Sequence, residues 1–139
     1  MRLNPDEACT RFRESRVARL ATVSGTGEPH MVPITFAFEG GMLYFAVDHK
    51  PKVSSNLRRL RNIQENSRVS ILVDRYADDW SELWWVRADG HAEIWENDPR
   101  RAAPVALLRE KYPQYREHTP EGPVVAITIH SLTGWAFAE

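Results

Sequence analysis

The residue types best suited to chemistry are concentrated in one short segment. Residues 48–56 read Asp-His-Lys-Pro-Lys-Val-Ser-Ser-Asn, and arginines follow at positions 58, 59 and 61. Between residues 49 and 64 the chain carries five formal positive charges and no acidic side chain. Because the whole protein has a formal net charge of -1, this is a local concentration of cations. The segment therefore predicts an anion site, and a phosphate group is the simplest ligand for it.

The lysines of this segment are the stronger candidates for ligand binding. Lys50 and Lys52 are two of the three lysines in the chain, and they flank Pro51 directly after a predicted strand. Ser54 and the start of the helix that follows would add a hydroxyl and free backbone amides. For Arg58, Arg59 and Arg61 two interpretations stay open at this point: they bind the anion, or they solvate the outer face of the helix.

Other uses of a basic cluster fit the sequence less well. Segment 49–64 contains no aromatic residue that could stack on bases, and the charge of the chain as a whole is close to zero, so we predict no nucleic-acid partner. The apolar face of the helix (Leu57, Leu60 and Ile63) is too short to bind a membrane surface. No membrane partner is predicted either.

Motifs for hydrolytic or metal chemistry are absent from the sequence. There is neither a G-x-S-x-G nor an H-E-x-x-H motif, and the histidines at positions 30, 49, 91, 118 and 130 are too scattered to predict a preformed metal triad. The acidic side chains at positions 74, 78, 79 and 82 match no calcium-loop spacing. We predict no metal and assign no catalytic side chain. An anion site without a nucleophile or an acid/base pair indicates chemistry carried by a bound cofactor.

The elements that would position this segment are mostly strands. Asn4-Pro5-Asp6-Glu7 is typical of a helix start, and that helix would end near Arg13. Alternating or β-branched runs predict strands at 17–24, 30–38, 42–47, 69–74, 83–95 (bent at Gly90) and 124–129, and the last could continue to 137. Helical spacing predicts helices at 54–65 and from Asp98-Pro99 to about Lys111, where Pro104 could introduce a kink. Tight turns between the early strands favour antiparallel pairing. The pattern predicts a mainly β (α+β) fold that closes as a small barrel.

Length and composition set the remaining expectations. A chain of 139 residues without linkers or repeats predicts one domain over residues 1–139. Its single cysteine excludes an internal disulfide, and no apolar run approaches the roughly 18 residues that span a bilayer. These features predict a cytoplasmic protein. Three of the five tryptophans, Trp80, Trp84 and Trp85, fall within six positions and either pack in a core or interface or stack on a ligand.

Five stretches give the chain a resemblance to a known family. They are RVARLATVS (16–24), HMVPITFAF (30–38), LYFAVDHKPK (43–52), LRNIQENSRVSILVD (60–74) and DDWSELWWVRADGHA (78–92). In their order and spacing they resemble the flavin/deazaflavin oxidoreductases of the pyridoxamine 5′-phosphate oxidase-like class, in particular the coenzyme F-420-dependent actinobacterial branch. The resemblance implies a six-stranded antiparallel split β-barrel with flanking helices. It also implies a homodimer with two cofactor sites between the subunits.

The resemblance also implies particular residues and an activity. The cofactor phosphate would be held by Lys50 and Lys52, with help from the start of the next helix at Ser54 and Arg58. The ring system would lie along the second and third strands at Val32, Pro33, Ile34, Thr35, Ala46 and Val47, and Trp80 would approach it from the partner subunit. The implied activity is hydride transfer from coenzyme F-420 to an unsaturated small molecule. An FMN-dependent oxidoreductase is one alternative, since Lys50-Pro51-Lys52 departs from the Arg-then-Lys pattern common in the family. A non-catalytic flavin- or haem-binding protein is the other, since the family also includes such members.

Overall fold

The computed structural model describes residues 1–47 and 57–138, which form a curled antiparallel sheet with helices packed on it. The elements, in chain order, are α1 (Pro5–Glu14), β1 (Ala18–Val23), β2 (Pro29–Ile34), β3 (Ala37–Glu39), β4 (Met42–Ala46), α2 (Arg58–Glu65), β5 (Arg68–Arg75), β6 (Trp84–Trp95), α3 (Ala102–Lys111), α4 (Pro113–Glu117) and β7 (Val124–Ala136). Two short 3-10 turns, Trp80–Glu82 and Pro99–Arg101, precede β6 and α3. No helix in these two ranges has the length and apolarity needed to cross a membrane.

The order of the strands explains why the sheet curls. Neighbouring strands follow the order β2-β1-β5-β6-β7-β4-β3, so β2 and β3 lie at its two ends. In the chain, however, only Thr35 and Phe36 separate these two strands. Three residue steps reach at most roughly 11 Å, so the two edges of the sheet must come close together. The result is a barrel that is split between β2 and β3.

Two tyrosines from the α3–α4 region fill the split. The hydroxyl of Tyr112 lies 3.1 Å from both the backbone nitrogen and the carbonyl oxygen of Phe36 and 2.8 Å from the carbonyl oxygen of Arg16. The hydroxyl of Tyr115 is 2.8 Å from Oγ1 of Thr35. Tyr112 thus satisfies backbone groups of Phe36 that neither strand pairs, and Tyr115 binds the side chain of Thr35. Buried backbone groups at such a break need partners of this kind.

The predicted elements agree closely with the structure, and the fold class is confirmed. The main difference is that the predicted second strand, 30–38, divides into β2 and β3, so the described sheet has seven strands instead of six. Pro104 does not kink α3, because it lies in the first turn, where a missing N–H costs nothing. Helix α4 was not predicted, and the bend expected at Gly90 coincides with a register shift between Asp89 and Gly90.

The end of α3 is fastened to the end of α1 by Lys111. Its Nζ donates hydrogen bonds to the carbonyl oxygens of Arg13 (3.1 Å) and Ser15 (2.7 Å) and lies 4.0 Å from the ring centre of Phe36. Partial burial, together with the nearby charge of Arg16, lowers the pKa of Lys111 from 10.5 to about 8. The ammonium therefore links α3 to the end of α1 beside the split, and its partial burial removes part of its hydration.

This arrangement predicts a specific pH dependence of stability. The unfolded chain binds the Lys111 proton more tightly than the folded chain. Burial of the charged ammonium therefore lowers the unfolding free energy fully below pH 8, and this destabilisation decreases as the pH rises toward 10.5. Relative to Lys111→Met, the wild type should gain about 1 kcal/mol of unfolding free energy between pH 7 and 10, a value discounted for partial exposure. Burial also raises the pKa of Tyr112, but both proteins carry this residue, so its ionisation affects both alike and cancels in the difference. Urea unfolding of both proteins at each pH is the measurement, and a constant difference would contradict the prediction.

Candidate functional site

The first turn of α2 separates its arginines into an outer and an inner group. Arg58 is exposed, and its Nη2 lies 3.5 Å from Oε1 of Glu28 in the β1–β2 turn. Arg59 is half-buried, and burial lowers the pKa of its guanidinium. Its Nε is buried and has no hydrogen-bond partner within the part of the chain that the structure describes. Arg59 therefore presents a charged donor on the protein side of α2.

A buried polar pair holds this helix against the sheet. Nδ2 of Asn62 donates a 3.0 Å hydrogen bond to Oγ1 of Thr22 on β1, and the two residues are 3% and 1% exposed. Thr22 is paired in register with His30 on β2, whose Nδ1 is a second buried nitrogen without a described partner. Because Asn62 lies three residues after Arg59, both point toward the sheet. Arg59 and His30 thus belong to the same corner of the molecule, between α2 and the β1–β2 hairpin.

The predicted phosphate ligands precede helix α2 in the sequence. Lys50, Lys52 and Ser54 lie outside the described residues, so their assignment stays a prediction. In the sequence, segment 48–56 connects β4 to α2, and Arg59 follows it by three residues. At that start, the N-cap residue Leu57 forms no side-chain cap. The turn that receives the segment offers backbone amides as well as the Arg59 guanidinium to an anion.

The residues predicted to lie along the cofactor ring are mostly part of the hydrophobic core. Ile34 and Val47 are 7% and 5% exposed, and Val32 packs against the same core cluster. Val47 also donates its backbone N–H to the carbonyl oxygen of Pro123 at 2.9 Å. The side chain of Thr35 contacts Tyr115, as described above. Contact with a flat ring can therefore come from the backbone of these residues but not from the side chains of Ile34 and Val47.

Strand β2 has backbone groups available for such contact. It lies at one edge of the sheet and pairs only with β1 within the described ranges, so alternate N–H and C=O groups point away from the ladder. Pro33 is exposed on this strand and lacks an N–H, which suits an edge strand because proline cannot donate to a ladder. The edge leads toward the corner that contains Arg59 and His30.

A groove on the outer face of the sheet lies next to this edge. It has a volume of about 510 Å³, and we call it the outer groove; its lining includes Arg19, Met31, Leu72, Tyr76, Trp85 and Arg87. The adjacent tryptophans of β6 point in opposite directions, as strand alternation predicts. Trp84 packs against the core beneath the guanidinium of Arg11, whereas Trp85 faces the groove. Trp80 precedes β6 and is 65% exposed.

Comparison with known proteins identifies the family. The family model for pyridoxamine 5′-phosphate oxidase matches residues 5–136, which is nearly the whole chain. The chain belongs to this family. The resemblance of the sequence to the pyridoxamine 5′-phosphate oxidase-like class is thereby confirmed.

Individual relatives differ in what they are described as doing. A 5a,11a-dehydrotetracycline/5a,11a-dehydrooxytetracycline reductase of Streptomyces rimosus is 35% identical over 65 residues, which cover 47% of this chain and 44% of the relative. The match thus spans less than half of that protein. Among solved structures, a FAD-binding protein of Mesorhizobium loti superposes with a TM-score of 0.71 at 22% identity, covering 96% of this chain and 95% of the other. A heme storage protein of Vibrio cholerae gives 0.73 at 19% identity, covering 98% and 95%. These structures show a shared fold.

The corner at α2 offers nitrogen donors that suit an anionic group. Two buried nitrogens without described partners, Arg59 Nε and His30 Nδ1, are the groups that an anion would satisfy. Neither was singled out from the sequence, where Arg59 was grouped with Arg58 and Arg61. Helical spacing contained the signal, because Arg59 is three and four residues before the buried Asn62 and Ile63. The predicted ligand Arg58 points outward to Glu28 instead.

Proposed function

We propose that this protein is a coenzyme F-420-dependent oxidoreductase that transfers a hydride to an unsaturated small molecule. The observation that supports it best is the buried Nε of Arg59, which has no hydrogen-bond partner among residues 1–47 and 57–138, in a chain of the pyridoxamine 5′-phosphate oxidase family. Such a donor is costly to leave without an acceptor in the folded protein. A phosphate-bearing redox cofactor supplies that acceptor.

In this proposal the side chains bind and orient the cofactor. Lys50 and Lys52 neutralise the phosphate, Ser54 adds a hydroxyl, and Arg59 donates from the inner side of α2. The edge of β2 from Val32 to Thr35 contacts the ring through its backbone. Reduced coenzyme F-420, when bound, supplies the hydride. Since hydride transfer at a fixed distance gains mainly from positioning and from exclusion of water, no side-chain base is required.

The proposed acceptor is a conjugated molecule that fits an apolar groove. The outer groove is walled by Leu72, Tyr76 and Trp85 and carries Arg19 and Arg87 at its rim. Aromatic and aliphatic walls with a few charged groups suit a flat ligand that bears oxygen substituents. The Streptomyces relative is named for reducing a dehydro compound, a tetracycline with an additional double bond. That name supports the proposed reaction type, which is reduction of an unsaturated molecule.

We further propose that the protein works as a cytoplasmic homodimer with its cofactor sites at the interface. Two large apolar side chains that line the outer groove are exposed to solvent, Met31 (65%) and Tyr76 (68%), and Trp80 in the turn before β6 is 65% exposed. A second copy of the chain would cover such residues, because isolated proteins seldom expose large apolar side chains in one area. Trp80 would then reach the cofactor bound by the partner.

A binding titration tests the proposal. Oxidised coenzyme F-420 is added to the protein while quenching of tryptophan emission is followed, and FMN is titrated separately. We expect Lys52→Ala and Arg59→Ala each to lose roughly 1 to 3 kcal/mol of binding free energy for coenzyme F-420, which is about 5- to 150-fold in Kd. Arg61→Ala is the matched control, because Arg61 lies on the exposed face of the same helix. Light scattering on the same samples should give twice the mass of one chain.

Each other outcome assigns a different function. Tighter binding of FMN than of coenzyme F-420 would make the protein an FMN-dependent oxidoreductase. If neither binds, but haem gives a strong Soret-type band, a non-catalytic haem-binding role like that described for the Vibrio cholerae structure would be favoured. Equal loss of affinity in the Arg61→Ala control would show that general charge on α2, and not the inner corner, determines binding.

A further inference from the structure

Two histidines meet on the outer face of the sheet. His91 on β6 and His130 on β7 are both exposed, and Nδ1 of His91 lies 2.5 Å from Nε2 of His130. The ring centres are 4.6 Å apart, and the ring planes are inclined at 71°. Two imidazole nitrogens therefore converge on one point at the protein surface. The two residues are 39 positions apart in the chain, so the contact is a product of the fold.

An irregularity in the sheet produces this contact. In the β6–β7 ladder Gly90 pairs with Ile129 and Asp89 pairs with Ser131, which leaves His130 as an extra residue. Such a β-bulge turns a side chain away from the regular alternation, and both His130 and Ser131 are exposed here. The glycine permits the bulge, because a Cβ at position 90 would lie 2.1 Å from the carbonyl oxygen of Thr128.

The neighbouring carboxylate does not account for the pair. Asp89 accepts hydrogen bonds from Ser70 on one oxygen and from Arg87 (3.1 Å) and Ser131 (3.3 Å) on the other. Asp89 is thus committed to its own network. Beside the histidines a groove of about 430 Å³ remains, which Arg68 also lines.

We propose that His91 and His130 form a two-imidazole site for one transition-metal cation of the Zn²⁺, Ni²⁺ and Cu²⁺ class. Neutral imidazole is a preferred ligand of these ions, whereas Mg²⁺ and Ca²⁺ require oxygen ligands. Nitrogens bound to one Zn²⁺ lie about 2.0–2.1 Å from it and hence roughly 3 Å from each other. Small rotations of two exposed side chains reach that separation from 2.5 Å. Water or an anionic ligand in the groove completes the coordination.

This site is distinct from the proposed cofactor corner. His91 is six residues from Trp85 along β6, which is about 20 Å in an extended strand. The inner corner with Arg59 is formed by α2 and the β1–β2 hairpin, and neither histidine belongs to those elements. The metal proposal therefore stands or falls independently of the cofactor proposal.

Metal titration of the protein without any affinity tag tests the site. After dialysis against a chelator, ZnCl₂ and NiCl₂ are titrated calorimetrically into the wild type, His91→Ala, His130→Ala and the control His118→Ala, whose histidine is exposed at the end of α4. We expect one ion per chain, at least ~10-fold weaker binding in each of the first two variants, and no change in the control. Loss of a metal ligand should weaken metal binding at least as much as loss of a residue that only orients a ligand.

A spectroscopic arm makes the test independent of the variants' folding. The electron paramagnetic resonance spectrum of Cu²⁺ bound to the wild type should show coupling to two imidazole nitrogens. Coupling to one nitrogen or to none would overturn the proposal. So would unchanged affinity in His91→Ala or His130→Ala, an equal loss in His118→Ala, or binding that begins only at millimolar metal.

Discussion

Replacement of Phe12 by alanine is expected to destabilise the protein by about 3–5 kcal/mol, because it removes the ring that joins α1 to the split of the barrel. Phe12 is fully buried, and its ring centre lies 5.4 Å from that of Phe36 and 5.0 Å from that of Phe38. The contact with Phe38 is edge-to-face, a favourable geometry for aromatic pairs. A cavity at this position would leave Phe36 without support on one side.

The cost of this substitution is large relative to the stability of a domain. Unfolding free energies are commonly about 5–15 kcal/mol, so the variant should lose at least about a fifth of the total, and Tm should fall by roughly 10–20 °C. Thermal unfolding and urea titration measure both quantities. Phe137→Ala is the control, since Phe137 is 50% exposed and should cost little. A loss below about 1 kcal/mol for Phe12→Ala would show that α1 does not support the split in solution.

Strand and helix positions were predictable because they depend on local patterns. Alternation in Val17 to Ser24 and helical spacing in α2 each reflect one buried face, so the sequence contains the necessary information. The cap at Asn4 is an example: its side chain accepts a hydrogen bond from the N–H of Glu7, as the residue types predict. The bend at Gly90 was likewise predicted from the residue type.

The division of the second strand could not be predicted from its own residues. The chain leaves the sheet at Thr35–Phe36, where the Tyr112 hydroxyl bonds to the backbone of Phe36 and the Tyr115 hydroxyl bonds to the side chain of Thr35. These partners are 76 and 80 residues away in the chain, and no local pattern reports them. Trp84 and Trp85 illustrate the same limit. Alternation predicted that they point in opposite directions, but only the position of the core shows that Trp85 faces the outer groove.

The candidate site was predictable in its location and less so in its members. A local excess of positive charge located the segment from Lys50 to Arg61, since charge is a property of the sequence alone. Which arginine faces inward depends on the docking of α2, and that docking rests on the buried pair Asn62 and Thr22. An Asn in a helix is usually exposed to solvent, so the sequence did not predict that Asn62 is buried. Without that knowledge, the inward position of Arg59, three residues earlier, could not be chosen over that of the other arginines.

Replacement of Gly90 by alanine is expected to cost about 3 kcal/mol or more, although alanine is ordinarily tolerated better than glycine in a strand. The added Cβ would lie 2.1 Å from the carbonyl oxygen of Thr128 and 3.2 Å from Cγ2 of Ile127. The first of these atoms belongs to the backbone of β7, and it cannot retreat unless the longest ladder of the sheet separates. Strain of this kind is relieved only by shifting a strand.

Gly134→Ala is the matched control, because it adds the same methyl group to β7 of the same ladder. There the new Cβ would lie 3.0 Å from Cδ1 of Leu3, the end of a flexible side chain, and 3.2 Å from Cβ of Ala8. We expect a change of less than about 1 kcal/mol for this variant, measured as a shift of the urea midpoint at constant slope. Equal midpoints for the two variants would contradict the close approach of β6 and β7 at the bulge. A much lower midpoint for Gly90→Ala alone would establish that this glycine is required by the backbone of the opposing strand, which is the same feature that brings His130 against His91.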